Sequence, residues 1–375
     1  MTLQDLETPA LLLDEEKLLR NVARMKARLE HLGVAFRPHL KTCKSIDVAR
    51  CCMSSPQGPI TVSTLAEAEY FARQGVRDIL YAVCLAPNKL DHVARLRREG
   101  LQLRVIVDCA EAAGMLAGHA RTRGSTFDVL IEIDCDGHRS GLAPDDPRLP
   151  DVAAALRAEG VCLSGVMTHA GNAYNCRSTA EIRALAAQER DAVTLAARRL
   201  KEAGYPCPVV SVGSTPTALF AEDLTGVTEV RAGVFMFFDL VMAGLGVCTP
   251  DDIALSVLAS VIGHQRGKGW IITDAGWMAL SRDRGTAGQA LDCGYGLVCD
   301  ARARLLDGLR VADVNQEHGI IARRDGGPLP ELPVGSLLRI LPNHACATAA
   351  AYDRYHVLRD GAPSAVWKRW NGWEA

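Results

Sequence analysis

The sequence lacks any strong imbalance of charge. Its 42 Lys and Arg stand against 44 Asp and Glu, leaving a net charge of −2 over 375 residues. That balance removes the electrostatic pull that would bring nucleic acid or an anionic membrane to the chain. No apolar run reaches the roughly 18 residues that a membrane span needs. The opening MTLQDLETPALLLD has no basic stretch leading into an unbroken apolar core, so no secretory signal is expected and a cytoplasmic location is. The 13 cysteines include no C-x-x-C pair and are odd in number. In so long a chain a disulfide framework is not expected, and most of these thiols are read as small buried hydrophobes. No G-x-G-x-x-G follows the first strand and no G-x-x-x-x-G-K-[ST] occurs, so nucleotide-binding folds gain no support. Low-complexity tracts are absent.

What is present is a soluble globular composition, 48% apolar and 23% charged, long enough for one large domain and a smaller one. Eight short apolar runs punctuate the first two thirds: VAFRPH (34–39), ITVST (60–64), DILYAV (78–83), LRVIVD (103–108), FDVLIEID (127–134), LSGVMTHA (163–170), PVVSVG (208–213) and TEVRAGVF (228–235). Amphipathic stretches separate them, such as AEAEYFARQG (66–75) and EIRALAAQERDAVTLAARRLKEAG (181–204). Several end in Gly after a charged residue, a helix stop signal. Strands too apolar to have a wet face, alternating with helices, predict a parallel sheet. Eight such units fit an α/β fold of the (β/α)8 TIM-barrel type; an open doubly wound sheet is the alternative. After about residue 245 the long helical patterns stop. LSVLASVIG (255–263), GWIITDAG (269–276), LRVADVN (309–315), SLLRILPNHACAT (336–348) and YHVLRDG (355–361) predict a second, mostly β domain.

Barrels place their chemistry where strands end, and polar groups gather there. The first strand closes in Arg37, His39 and Lys41; the sixth in Thr168 and His169, followed by Tyr174; the seventh in Gly213-Ser214-Thr215; and the eighth carries Arg231-Ala232-Gly233. The fifth runs into DCDGHRSG (134–141). Gly213, Ser214 and Thr215 offer hydroxyls and backbone N–H groups, a short anion nest. A Lys41 amine among Arg and His could be a nucleophile, since neighbouring cations favour its neutral form. A phosphate cup opposite a reactive lysine suggests pyridoxal 5′-phosphate held as a Schiff base. A phosphosugar site, or a lysine that merely pairs with a carboxylate, would fit the same residues.

His344-Ala-Cys346 is an i, i+2 pair, which on a strand puts both side chains on one face. Imidazole and thiolate suit zinc or a similar metal, and two ligands would leave positions open, as a catalytic ion needs. Such pairs also arise by chance.

Taken in order, RPHLKT, TVSTLAEAE (61–69), EIDCDGHRSG (132–141), THAGNAY (168–174), VSVGSTPT (210–217), TEVRAGVF, DAGWMALSRDRG (274–285), NQEHG (315–319) and PNHAC (342–346) resemble the D-serine dehydratase-like branch of the fold-type III pyridoxal-phosphate enzymes, the alanine racemase barrel group. The resemblance covers essentially the whole chain. It implies a cofactor barrel over 12–244 and a β domain over 245–375 joined by 1–11. Lys41 would carry the cofactor. Arg139 would lie near its phenolic oxygen and Tyr174 near its pyridine ring. Gly213, Ser214, Thr215 and Gly233 would hold the phosphate, and His169 is counted with the cofactor residues. His344 and Cys346 would bind a divalent metal, whether zinc, manganese or magnesium. A homodimer with shared sites is implied.

The implied activity is dehydration and deamination of D-3-hydroxy amino acids: D-threo-3-hydroxyaspartate to oxaloacetate and ammonia, D-serine to pyruvate and ammonia. A basic residue in SRDRG (281–285), Arg282 or Arg284, could pair with a second substrate carboxylate; surface loop arginines are the plainer reading. D-threonine aldolases share the cofactor but often show H-x-D where this chain has H-x-C. An amino-acid racemase or a non-catalytic pyridoxal-phosphate carrier is further from the pattern.

Overall fold

The computed structural model describes residues 2–372. Their contacts fall into two compact units, residues 2–23 with Val234–Asn371 and Arg24–Gly233. No helix among the described residues is long and apolar enough to cross a membrane.

After a first strand, β1 (Ala10–Asp14), come β2 (Ala35–Pro38), β3 (Ile60–Val62), β4 (Asp78–Cys84), β5 (Gln102–Val107), β6 (Phe127–Ile133), β7 (Val161–Thr168), β8 (Val209–Val212) and β9 (Glu229–Ala232). Each of the eight apolar runs overlaps one of the strands β2–β9, and these form a single parallel sheet in the order β2-β9-β8-β7-β6-β5-β4-β3. Its edges meet through one parallel bridge, His39 to Thr61, so the sheet is a nearly closed barrel and not an open one. Leu80, Ile106, Leu130 and Met167 form one inward cluster across four neighbouring strands. Helix starts are set by local chemistry: the Thr64 hydroxyl accepts the Glu67 N–H before Leu65–Arg73. Ser178 does the same for Glu181 before the long helix Thr179–Glu202.

Arg37 departs from the expectation that it lines the mouth. Two positions before His39, its side chain enters the barrel one layer lower, because alternate strand residues share a face. There it pairs with Asp78 at 2.7 Å and Glu229 at 2.9 Å, the first residues of β4 and β9. Arg37 is therefore part of the barrel's N-terminal plug. Removing one partner of a buried pair strands the others, so Arg37→Ala is expected to destabilise the protein by about 3 kcal/mol or more, read as a lower urea midpoint.

The other unit holds β1 and β10 (Leu255–Gln265), β11 (Trp270–Thr273), β12 (Leu297–Asp300), β13 (Leu305–Val314), β14 (Gly319–Arg323), β15 (Leu337–Leu341), β16 (Arg354–Arg359) and β17 (Ala362–Lys368). The order is β11-β14-β13-β12-β15-β10-β1-β16-β17, with β11 also pairing β10. All pairings are antiparallel except that of β1 with β16. Here a second expectation is corrected: His344 and Cys346 are not on a strand. β15 stops at Leu341 before Pro342, His344 is the N-cap, and Cys346 lies in the helix Ala345–Ala349. Proline cannot continue the ladder, and the alanine-rich ACATA that follows favours helix.

Candidate active site

Lys41 lies in the turn that leaves β2. This turn is stitched on both sides: the His39 N–H donates to the Ala232 carbonyl at 2.7 Å, and the Leu40 N–H to that of Thr61 at 2.9 Å. A Cβ at Gly233 would press on the His39 carbonyl and the Thr42 hydroxyl, and one at Gly213 would collide with the Arg231 carbonyl. Glycine at these two points lets β8, β9 and the lysine turn close up. The Lys41 side chain is exposed and has no carboxylate within 4 Å among the described residues.

Around it lie His39, His169, Arg139 and Arg231. Burial, and then the charges of Lys41 and Arg231, hold His39 well below the ordinary imidazole range. Burial and Lys41 bring His169 down to about 3, against the Gly213 carbonyl. Nδ1 of His169 lies 2.5 Å from that carbonyl, so it carries the proton and donates it, leaving Nε2 as a lone pair. Arg231 is buried with Nη1 on the Ser211 hydroxyl and Nη2 on the Thr168 carbonyl. Arg139 is half-exposed, with Nη2 3.3 Å from Glu132 Oε1. The other oxygen of that buried carboxylate accepts from Ser140 at 3.0 Å and the Cys84 thiol at 3.2 Å. Tyr174 is 39% exposed on the turn Gly171–Asn175. Asn172 ties that turn to the Arg139 loop through Asp136, with its N–H and its side-chain amide both 2.8 Å from Asp136 oxygens. Ser214 caps the helix Thr215–Phe220, its hydroxyl accepting the Thr217 N–H at 3.2 Å.

The structure thus brings Lys41, His169 and Arg139 into one electrostatic neighbourhood, with Gly213 hydrogen-bonded to His169 and followed directly by Ser214 and Thr215. A mouth with an unpaired amine and a surplus of positive charge fits a phosphorylated aldehyde. Sequence reading missed Glu132, Glu189 and the side-chain role of Arg231. Each is an ordinary charged residue in its local run, and only the closing of the barrel gives it an inward position.

In the β unit, His344 Nδ1 lies 2.9 Å from Asp283 Oδ2. Burial opposes protonation of this ring, but Asp283, Cys346 and Asp239 outweigh it and push its pKa up to about 11. Asp239 receives the Ala345 N–H at 3.0 Å. Buried Asn343 donates to the Asp283 and Gly294 carbonyls at 2.9 and 2.6 Å and accepts from Thr286 at 3.0 Å. The carboxylate on Nδ1 fixes the ring, and a cation at Nε2 would have to displace the proton held there. No group of three or more His, Cys, Asp or Glu is placed to hold an ion among the described residues. A histidine and a cysteine beside the Asp283 and Asp239 carboxylates are a chemistry that would suit a cation with open positions. Arg284 is engaged with Asp292 at 3.0 Å and stacks on Tyr295. Arg282 stacks on Trp277 at 4.3 Å.

Residues 13–241 match the family model of the alanine racemase N-terminal domain, and 254–358 that of a serine dehydratase domain. A D-threo-3-hydroxyaspartate dehydratase of Delftia sp. strain HT23 is 52% identical over 99% of both chains. Its solved structure superposes with a TM-score of 0.97, covering 99% of this chain and 100% of that one. Solved variants of an enzyme of the same name replace a histidine and a cysteine two positions apart, and the cysteine variant is metal-free. A D-serine dehydratase of Dictyostelium discoideum is 30% identical over 96% of this chain and 95% of its own. A 3-hydroxy-D-aspartate aldolase of Paracoccus denitrificans is 28% identical over 97% of this chain and 91% of its own.

Proposed function

The chain belongs to the family that joins an alanine racemase N-terminal domain to a serine dehydratase domain, and from that premise we propose that it is a pyridoxal 5′-phosphate- and metal-dependent dehydratase of D-3-hydroxy amino acids. It is a lyase that removes water across Cα–Cβ, after which the enamine product takes up one water as it hydrolyses and releases ammonia, turning D-threo-3-hydroxyaspartate into oxaloacetate and D-serine into pyruvate. The observation that carries the reading is the Lys41 amine, free of any carboxylate, among His39, His169, Arg139 and Arg231.

In this reading Lys41 would bind the cofactor covalently, and the Gly213-Ser214-Thr215 turn with the backbone at Gly233 would hold its phosphate, Gly213 shaping the turn while its own N–H and carbonyl stay with Glu189 and His169. Arg139 and Tyr174 flank the ring. Pyridoxal 5′-phosphate supplies an electron sink for negative charge developing at the substrate's Cα. The Lys41 amine would also be the base that takes the substrate's Cα proton. His169, kept neutral by burial and nearby cations, presents a lone pair and adds no further charge to the mouth. His344 and Cys346 would hold a divalent cation, zinc, manganese or magnesium, and such an ion would supply Lewis acidity toward the substrate's β-hydroxyl. Asp283 keeps the His344 ring in place and its Nδ1 protonated. A cytoplasmic homodimer with shared sites belongs to the same proposal.

Products decide between this reading and retro-aldol cleavage. With D-threonine the expected products are 2-oxobutanoate and ammonia, and with D-threo-3-hydroxyaspartate oxaloacetate and ammonia. Glycine with acetaldehyde from D-threonine would mean an aldolase. No turnover on any D-3-hydroxy amino acid would leave a carrier.

A further inference from the structure

The long helix Thr179–Glu202 carries one carboxylate that points away from solvent. Glu189 is 2% exposed, and its Oε1 accepts two backbone N–H groups, that of Ala170 at 3.1 Å and that of Gly213 at 2.9 Å. The Thr217 hydroxyl is a third partner. These contacts belong to the turn after β7, the end of β8 and the helix that follows it. Gly213 is gripped from both ends, since its N–H goes to Glu189 while its carbonyl receives Nδ1 of His169. Ser214, next in the chain, shares its hydroxyl with Thr217 at 2.9 Å.

We propose that Glu189 is a positioning residue for the phosphate cup, fixing the Gly213-Ser214-Thr215 turn against the His169 turn from behind. The proposal rests on the assignment of the cofactor phosphate to that turn. Glu189 touches no ligand; it acts through the two peptide groups it holds. Without it, two buried N–H donors lose their acceptor and the turn loses its register to β7, so binding of a dianion suffers while contacts to the ring do not. Glutamine keeps an Oε1 acceptor at the same reach, so it serves the two N–H groups nearly as well as the carboxylate.

The test compares affinities of the cofactor-stripped full chain for pyridoxal 5′-phosphate and for pyridoxal, which lacks the phosphate, by absorbance and tryptophan fluorescence. In Glu189→Leu, affinity for the phosphorylated form is expected to fall about 10- to 100-fold while that for pyridoxal stays put. Glu189→Gln is expected to restore both to within about threefold of the parent. Glu189→Asp keeps the charge but withdraws the carboxylate by one methylene, and it carries the same split should the leucine variant not fold. Equal losses for both ligands, no loss for either, or a Gln variant as weak as Leu would overturn the proposal. A parent protein with no preference for the phosphorylated form would instead remove the phosphate assignment, and this inference with it.

Discussion

Replacing Lys41 with alanine is expected to lower kcat for ammonia release by about 10⁴-fold or more, the largest effect of any single change in the chain. Two roles fall on one amine in the proposed function, covalent attachment of the cofactor and removal of the Cα proton. The parent should absorb near the visible edge, and borohydride should fix the cofactor to the peptide that contains Lys41. The alanine variant should lose both signals. Lys41→Arg separates chemistry from electrostatics: it keeps the positive charge in the mouth and so the environment of His39 and His169, yet it should be as inactive as alanine. Full turnover in either variant would exclude Lys41 from the reaction.

His344→Ala and Cys346→Ala are expected to cost about 10³-fold in dehydration, the share a Lewis acid contributes to a poor leaving group. Chelation of the parent should give a loss of similar size, reversed by adding a divalent metal; neither variant should recover fully. The cofactor absorbance should survive in both, because the barrel's lysine is untouched. The size of the effect depends on how firmly the imidazole is aimed. Nδ1 of His344 is committed to Asp283, and the backbone around it is pinned by Asn343 and Asp239. Activity that is indifferent to chelators and to both substitutions would leave dehydration without its metal.

Much of the barrel was legible because its strands obey one simple rule. Runs such as DILYAV and LRVIVD are apolar throughout, as buried parallel strands must be, and β4 and β5 lie where they do. The depth of a side chain along a strand was not legible. Arg37 and His39 share a face, yet one seals the bottom and the other lines the mouth, and only the partners Asp78 and Glu229 reveal which. The H-x-C pair was visible as chemistry but not as geometry, because an apolar run before Pro342 hides the switch from strand to helix. Glu189 gave no signal, since its acceptor role exists only once β7 and β8 are side by side. The short strands β12, β14 and β17 were missed for lack of periodicity over so few residues.

One topological detail sets the two sheets apart. Among the described residues β1 lies between β10 and β16, both of which follow the whole barrel in the sequence. The barrel between them needs nothing from either end to complete its own sheet. The barrel's sheet is built from strands close together in sequence, whereas the other sheet must close a loop as long as the barrel itself, at a cost in chain entropy.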